Sequence, residues 1–319
     1  MRIFETQVRN VDDLERVWAE RNKGSFLSEA TQIKEEPISG DAYIFEHNNR
    51  KIEFSTCKNV RVRGLVSDQF FAIGAFLRSG PRNSIGNENL LSGDIGWLPA
   101  NLERAAVYAE PVEGVLLLLR YDELTEMLTR RGVEQIGDEF KYGNLLRLPE
   151  DTQTLICRSL ERQTRALVSS AASISEQTFD YVFEHLIDVF VDAISFGVEI
   201  NCRVQETSID HHRAVNRTED FLSAHAEQLP TLDKISGELG ISRRTLHRAF
   251  TDVCDVTPNT YLRHWRLTRA REEIRDGKSA SVTETALRWG FLDVGRFAGY
   301  YRKLFDELPS ETLARSKLA

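Results

Sequence analysis

A ten-residue segment, ISRRTLHRAF at residues 241–250, holds three arginines and a histidine among apolar residues at helical spacing. On a helix, Leu246, Ala249 and Phe250 form one inward stripe. The polar side chains left on the outer face are those of Arg243, Arg244, His247 and Arg248. Exposed arginines can neutralise phosphates or donate two hydrogen bonds to guanine O6 and N7. The segment is therefore either a helix that enters a DNA groove or an ordinary solvated charged face.

The residues before this segment favour the first alternative. Thr231 or Asp233 can cap a short helix, Gly240 permits the left-handed backbone of a tight turn, and Ser242 can cap the helix that follows. Two helices joined in this way form a helix-turn-helix unit.

A second unit of the same kind follows. The sequence NTYLRHWRLTRAREEIRDG after Pro258 predicts a long connecting helix that ends at Gly277. A capped short helix, a turn at Gly290 and a cap at Asp293 come next, before a helix whose apolar positions are Phe297, Tyr301 and Phe305. We expect two outward-facing helices about one duplex turn apart, as in a reader of successive major-groove segments.

The order of residues in ISRRTLHRAF, PNTYLRHWRLTRAR and RWGFLDVGRFAGYYRKLFDELPSE resembles the DNA-binding domain of the AraC/XylS family of transcription regulators. The resemblance covers about the last hundred residues. It implies that Arg244, His247 and Arg248 face bases and that Arg296 occupies the matching face of the second unit. Arg302 and Lys303 then lie nearer the phosphates.

Two positions depart from the family pattern. Gly299 stands where many members carry an arginine or a bulky residue, and FDELP lacks the glycine that usually follows the phenylalanine. A glycine inside a helix costs about 0.5–1 kcal/mol relative to alanine. The second reading helix is expected to bind weakly or to depend on the first.

The whole composition is that of an ordinary globular protein, with 319 residues, 41% hydrophobic and 28% charged residues, and a formal charge of −8. Apolar runs are too short for a membrane span, and the acidic start does not resemble a secretory signal, so we expect a cytoplasmic protein without membrane contact. From Asn216 onward the sequence contains about 17 basic and about 15 acidic residues, so the net charge of this part is near +2. The four cysteines are widely separated, which suits free thiols and neither a disulfide nor a metal site.

The first two hundred residues predict an α+β fold. Short apolar or alternating runs between about residues 25 and 120 suggest a cupin-like β-barrel or sandwich over 1–148, and two amphipathic helices follow in 149–200. A polar linker is expected at 201–215, and the DNA-binding domain at 216–319. A metal-dependent barrel enzyme is disfavoured because His47 is the only histidine in the first 150 residues.

One loop of the strand-rich region has the character of an anion site. Arg78 and Arg82 flank Ser-Gly-Pro, and a turn there can bring both guanidiniums to one side, where they can grip phosphates or stack on a base. The spacing resembles the Arg-x-x-x-Arg of PilZ-type cyclic di-GMP sites and a cyclic di-GMP-responsive regulator of the AraC family. Further candidates for the same effector site are Asn83, Asn89, Ser92 and Asp94, with Arg61, Arg63 and Arg120 left open.

The resemblance implies a ligand-controlled homodimer that binds double-stranded promoter DNA, contacts RNA polymerase and acts as an activator. Cyclic di-GMP is the leading effector, with no other cofactor expected, and another small anionic or polar metabolite is the alternative. Two further alternatives are a barrel enzyme with a helical adaptor tail and a nonspecific architectural DNA binder. No catalytic residue or metal ligand is predicted.

Overall fold

A computed structural model describes residues 1–21, 25–130, 144–199 and 209–317 and divides into two compact units. The sheet unit takes Met1–Glu29, Ser39–Lys58 and the described residues of Val62–Thr207. The helical unit takes Ala30–Ile38, Asn59–Arg61 and the described residues from 209 onward. Two short segments from the first 61 residues therefore belong to the helical unit, whereas the sequence assigned all of 1–200 to one domain.

The strands form two sheets. Their bounds are β1 Arg2–Val8, β2 Ser25–Gln32, β3 Gly40–His47, β4 Arg50–Cys57, β5 Val60–Val66, β6 Phe70–Ser79, β7 Ser84–Ile85, β8 Glu88–Asn89, β9 Ile95–Leu98, β10 Glu103–Tyr108, β11 Val112–Arg120 and β12 Asn144–Leu146. Seven strands have the order β1-β3-β4-β11-β6-β9-β12, and five have the order β2-β5-β10-β7-β8. The predicted strand-rich α+β region is confirmed, but the described strands do not close into a cupin-like barrel.

The seven-stranded sheet has two different apolar faces because side chains alternate along each strand. On β11, Leu117 and Leu119 join the core beneath the helices, whereas Leu116 and Leu118 line a cavity between the two sheets. Leu117 lies opposite Ile73 of β6 and Ile52 of β4, so the central strands share one register of inward residues. The sheet therefore separates a helix-covered core from a cavity.

Four helices belong to the described part of the sheet unit: α1 Val11–Arg21, α2 Tyr121–Arg130, α3 Glu150–Ser169 and α4 Glu176–Glu199. The two predicted helices after Pro149 are thus present as α3 and α4. Phe179, Phe183, Leu186 and Phe190 of α4 are fully buried in the core against the sheet. The apolar stripe of this helix therefore packs within the chain.

Seven helices belong to the described part of the helical unit: α5 Ile209–Ala224, α6 Leu232–Leu239, α7 Arg243–Cys254, α8 Pro258–Arg275, α9 Val282–Arg288, α10 Val294–Phe305 and α11 Pro309–Ser316. Residues 209–215 lie in α5, where the sequence suggested an irregular linker; residues 201–208 lie outside the described part. This first part of the helix was missed because its residues are mostly polar, and one of them, His212, occupies a buried position. No helix of the described residues is long and apolar enough to span a membrane.

The described cysteines are Cys57, Cys157 and Cys254, and all three are free thiols, as the wide spacing predicted. Cys202 lies outside the described residues. Burial raises the pKa of Cys254 to about 12, and the thiol is therefore neutral within the helical unit.

We expect acid to destabilise the helical unit through two buried histidines. Burial, and then the charges of Arg61 and Arg263, lower the pKa values of His212 and His264 to about 4. The unfolded chain, with histidine pKa values near 6.5, binds more protons between pH 6.5 and 4, so the free energy of unfolding falls as pH drops through this window, by up to about 3 kcal/mol per histidine.

Urea unfolding at several pH values tests this expectation, with Trp18 and Trp97 replaced by phenylalanine so that Trp265 and Trp289 report on the helical unit. His264→Leu is expected to remove part of the pH dependence. Equal unfolding free energies at pH 7 and pH 5 in the parent protein would contradict the assignment.

Candidate DNA-binding interface

The first reading helix, α7, separates its basic and apolar sides. Ser242 caps its start by accepting a hydrogen bond from the Thr245 amide, after Gly240 has turned the chain with φ 64°. Leu246, Ala249 and Phe250 are fully buried. The exposed side chains on the opposite face are those of Arg243, Arg244, His247 and Arg248. The tight turn and the cap therefore present a basic face to solvent, as a helix-turn-helix unit requires.

The exposed groups of α7 differ in their partners. Arg243 pairs with Asp233 of α6 at 2.5 Å. The side chains of Arg244, His247 and Arg248 make no hydrogen bond or ion pair within the described ranges. These three, which the family resemblance assigns to bases, are available to an external acceptor.

The second reading helix, α10, repeats the arrangement. Asp293 caps it by accepting a hydrogen bond from the Arg296 amide, and the Gly290 turn has φ 80°. Arg296, Arg302 and Lys303 are exposed. Phe297, Tyr301 and Phe305 are the buried positions, as the apolar pattern predicted.

Both departures from the family pattern are explained locally. A Cβ atom added at Gly299 would meet no atom within 4 Å, so the glycine leaves open space on the outer face of α10. Asp306 occupies the position of the missing glycine and adopts a left-handed backbone with φ 56°. Aspartate tolerates this conformation better than most residues because its short side chain bonds locally.

The connecting helix α8 joins the inner sides of the two units. The ring of Tyr261 lies 4.9 Å from that of Phe250 in α7. Farther along α8, Glu273 accepts hydrogen bonds from Trp289 at 2.8 Å and from Arg288 at 2.9 Å. Arg271, also buried, pairs with Glu307 after α10. Aromatic packing at one end and charged hydrogen bonds at the other thus attach each unit to α8.

A buried charge cluster supports the first unit and was not anticipated from the sequence. Arg61, which sequence reasoning left open as an effector contact, is 2% exposed and donates to both carboxylate oxygens of Glu219 in α5. Arg61 also donates to Asn216 at 2.5 Å, and the Tyr261 hydroxyl donates to Glu219. Burial acts to lower the pKa of Arg61, but the Glu219 carboxylate outweighs it and raises the pKa. The available signal was Glu219 itself, an acid between Val215 and Leu222 on an inward stripe.

The two arginines of the proposed effector loop lie on one turn but have separate partners. Arg78, at the end of β6, pairs with Glu161 at 3.0 Å and lies 3.6 Å from Glu113. Arg82, in the turn that follows, pairs with Glu110 at 3.0 Å. Both side chains are more than half exposed.

The other proposed effector residues mostly hold the loop together. Asn83 and Asp94 are fully buried; Asn83 accepts from the Glu110 amide at 2.9 Å, and Asp94 pairs with Arg147 at 2.6 Å. Ser92 accepts a hydrogen bond from the Ser79 amide at 2.9 Å. The side chain of Asn89 is exposed. Of the proposed effector residues, Arg78, Arg82, Asn89 and Ser92 are thus the exposed ones.

The two remaining open arginines of the sheet unit are also paired. Arg63 donates to Glu103 at 2.7 Å, and Arg120 donates to Asp122 at 2.9 Å. His47 lies beside Asp180 at 3.1 Å. Across the described ranges of the chain, no group of three His, Cys, Asp or Glu side chains could hold a metal ion.

A cavity of about 190 Å³ lies between the two sheets. Its wall is mainly apolar, with Trp18, Val62 and Trp97 among the lining residues, and glycines widen it at several strands. Glu53 and Arg104 contribute charged groups. The volume is close to that of an engineered cavity of about 150 Å³ that takes up benzene, which limits the cavity to compact ligands.

Comparison with known proteins concerns mainly the helical unit. The family model described as a helix-turn-helix domain matches residues 235–315, which contain both reading helices. A probable thc operon regulatory protein of Rhodococcus erythropolis is 43% identical over 96 residues, 30% of this chain and 29% of that protein. The chain thus matches less than a third of this relative's length.

Two further proteins extend the comparison. The crystal structure of the AraC-like transcriptional activator CuxR is 15% identical, with a TM-score of 0.40, over 85% of this chain and 96% of that one. The XylDLEGF operon transcriptional activator 2 of Pseudomonas putida is 31% identical over 112 residues, 34% of this chain and 71% of that protein. The chain has two capped helix-turn-helix units on one connecting helix, and it covers 71% of this activator at 31% identity. It therefore belongs to the AraC/XylS family of transcription regulators.

Proposed function

We propose that the protein is a sequence-specific DNA-binding transcription regulator. The observation that carries the proposal is the pair of capped helices, α7 and α10, whose inner sides are buried. Their outer sides expose basic groups that have no partner among the described residues, namely Arg244, His247, Arg248, Arg302 and Lys303. Arg244 and Arg248 provide planar donors that match guanine, and Arg302 and Lys303 provide charges for phosphate. Double-stranded promoter DNA is the partner that this combination fits.

Activation is the direction of regulation we propose, since several relatives are named as activators. In an activator of this kind, a homodimer joins two weak readers on neighbouring half-sites and raises the effective concentration of the second binding event. RNA polymerase is the expected protein partner, and the cytoplasm the expected location. The family consists of regulators, and an enzymatic role is not proposed.

Arg248→Ala tests base reading by α7. We expect a loss of about 1–3 kcal/mol on an operator selected from random DNA, with relaxed preference at one base pair, because a bidentate donor is removed. Binding titrations at fixed salt give both quantities. Lys303→Ala is the matched control and is expected to weaken all sequences about equally. Equal losses on operator and random DNA for Arg248→Ala would assign Arg248 to phosphate instead.

Gly299→Arg tests the outer face of α10. Nothing occupies the space beside Gly299. An arginine there is expected to add about one phosphate contact and to steepen the slope of log affinity against log salt by about 0.9. Gly299→Ala serves as the control, because it is expected to stabilise the helix by about 0.5–1 kcal/mol without changing the slope. An unchanged slope in Gly299→Arg would place this face away from DNA.

The effector is proposed to act on the sheet unit, and two places there suit different ligands. A cyclic dinucleotide is too large for the cavity of about 190 Å³, which suits compact molecules. The exposed guanidiniums of Arg78 and Arg82 favour cyclic di-GMP at the loop, where its phosphates must compete with Glu161 and Glu110. A small metabolite in the cavity is the alternative.

Calorimetry with cyclic di-GMP separates these ligands. We expect binding to the wild type and a loss of about tenfold or more in Arg78→Ala, because a charged bidentate donor is removed. Arg130→Ala, which removes an exposed arginine that pairs with Glu126 one turn earlier in α2, is the control. Absence of heat with the wild type would exclude this effector. Unchanged affinity in Arg78→Ala would move the site away from the loop.

A further inference from the structure

The helical unit includes two segments from early in the chain, Ala30–Ile38 and Asn59–Arg61, together called the brace. The segments are tied to each other: the Ile33 amide donates to the Asn59 carbonyl at 3.1 Å, and the Asn59 side chain donates to the Pro37 carbonyl at 3.3 Å. Ile33 and Ile38 are fully buried. The brace is therefore an integral part of the unit that carries both reading helices, although it lies far from them in sequence.

One contact of the brace is at the end of the first reading helix. Lys34 pairs with Asp255 at 2.9 Å, and both side chains are partly buried. Asp255 directly follows the last residue of α7 and is its C-terminal cap, with a left-handed φ of 57°. A cation beside the carboxyl end of a helix also interacts favourably with the helix dipole. Lys34 thus fixes the position of this end of α7.

A second contact is at the end of the other reading helix. The side-chain amide of Gln32, fully buried, donates to the Leu304 carbonyl at 2.6 Å. Leu304 is in the last turn of α10, where the backbone carbonyls receive no hydrogen bond from an amide of the same helix. The same amide nitrogen lies 3.0 Å from the carbonyls of Lys34 and Glu36. Gln32 therefore joins the end of α10 to the residues that hold the end of α7.

The third contact reaches the inner side of α7. Arg61 binds Glu219, Glu219 accepts from the Tyr261 hydroxyl, and the Tyr261 ring packs on Phe250. Phe250 lies on the opposite face of α7 from Arg244 and Arg248. The brace therefore supports the first reading helix from beneath as well as at its end.

We propose that the brace sets the spacing of the two reading helices on DNA, with Gln32 and Lys34 as its positioning residues. The inference rests on the proposed DNA-binding function. Two readers on one face of a duplex must match major-groove segments about 34–36 Å apart, and one base pair shifts a half-site by about 3.4 Å. The connecting helix α8 joins the readers once, and the brace joins their ends a second time, which restricts the separation that α8 alone would allow.

The test uses the full chain with Gln32→Met and Lys34→Met combined. The operator is first selected from random DNA with the wild type; its two half-sites are, in this test, the segments read by α7 and by α10 of one chain. The DNA between these half-sites is then lengthened or shortened by one base pair. The half-site read by α7 is also prepared alone. We expect the wild type to lose about tenfold in affinity when the spacing changes, as it would for a mismatched base pair. The double variant is expected to lose about tenfold on the selected operator, to bind all three spacings within about threefold, and to keep its affinity for the isolated half-site.

The matched control combines Gln228→Met with Lys278→Met, two exposed residues of the same unit and the same types. It is expected to retain the spacing preference of the wild type. A wild-type spacing preference in the brace variant would overturn the proposal. An equal loss on the isolated half-site would show that the brace only stabilises the fold, and would overturn it as well.

Hydrogen exchange of the same chains without DNA keeps this test separate from the proposed function. We expect amides at the ends of α7 and α10 to exchange about tenfold faster in the brace variant than in the control, because their anchors are removed. If the wild type selects no DNA sequence, the proposed function is wrong, and so is the proposed role of the brace in spacing the helices on DNA. The exchange result still decides whether the brace holds both helix ends. Unchanged exchange at both ends would overturn the brace itself.

Discussion

The carboxylate of Glu219 lies among buried side chains of the helical unit and therefore needs a cation and hydrogen-bond donors around it. Arg61 supplies the cation and Tyr261 supplies a donor. Loss of one partner of such a pair costs about 3–5 kcal/mol, because the other charge stays buried. The arrangement of α5, α7 and α8 thus depends on a residue from the first third of the chain. A domain boundary drawn at the end of the sheet unit in sequence would cut through this interaction.

Recognition of DNA places opposite demands on the two faces of a reading helix. The inner face of α7 is fixed by Leu246, Ala249 and Phe250, while Arg244 and Arg248 on the outer face have no hydrogen-bond partner among the described residues. The excess acidic charge elsewhere in the chain is compatible with DNA binding by these helices. Phosphate contacts depend on the local surface, and exposed charges more than about 10 Å away are largely screened at moderate salt. In the proposed binding mode, the outward basic charge provides affinity for DNA, and the mutual placement of α7 and α10 contributes to sequence specificity.

Features encoded by neighbouring residues were predictable from the sequence, and features that need distant partners were not. The caps at Ser242 and Asp293 and the turns at Gly240 and Gly290 depend on the backbone within a few residues, and each is where the sequence placed it. The role of Arg61 depends on a partner 158 positions away, which no local pattern reveals. The first part of helix α5, residues 209–215, was missed for the same reason, since its polar inward residue His212 makes sense only with its partners present. Closure of the sheets also depends on long-range pairing: the sequence left a barrel and a sandwich open, and the described strands form two sheets without a closed barrel.

In the proposed mode of binding, two helices of one chain read adjacent turns of a duplex. A hydroxyl-radical footprint of the wild-type protein on its selected operator measures this most directly, since it maps backbone protection at single-nucleotide resolution. For each chain we expect two protected segments whose centres lie about 10–10.5 base pairs apart on one face of the duplex. Uniform protection along the fragment, or a single protected segment, would contradict it.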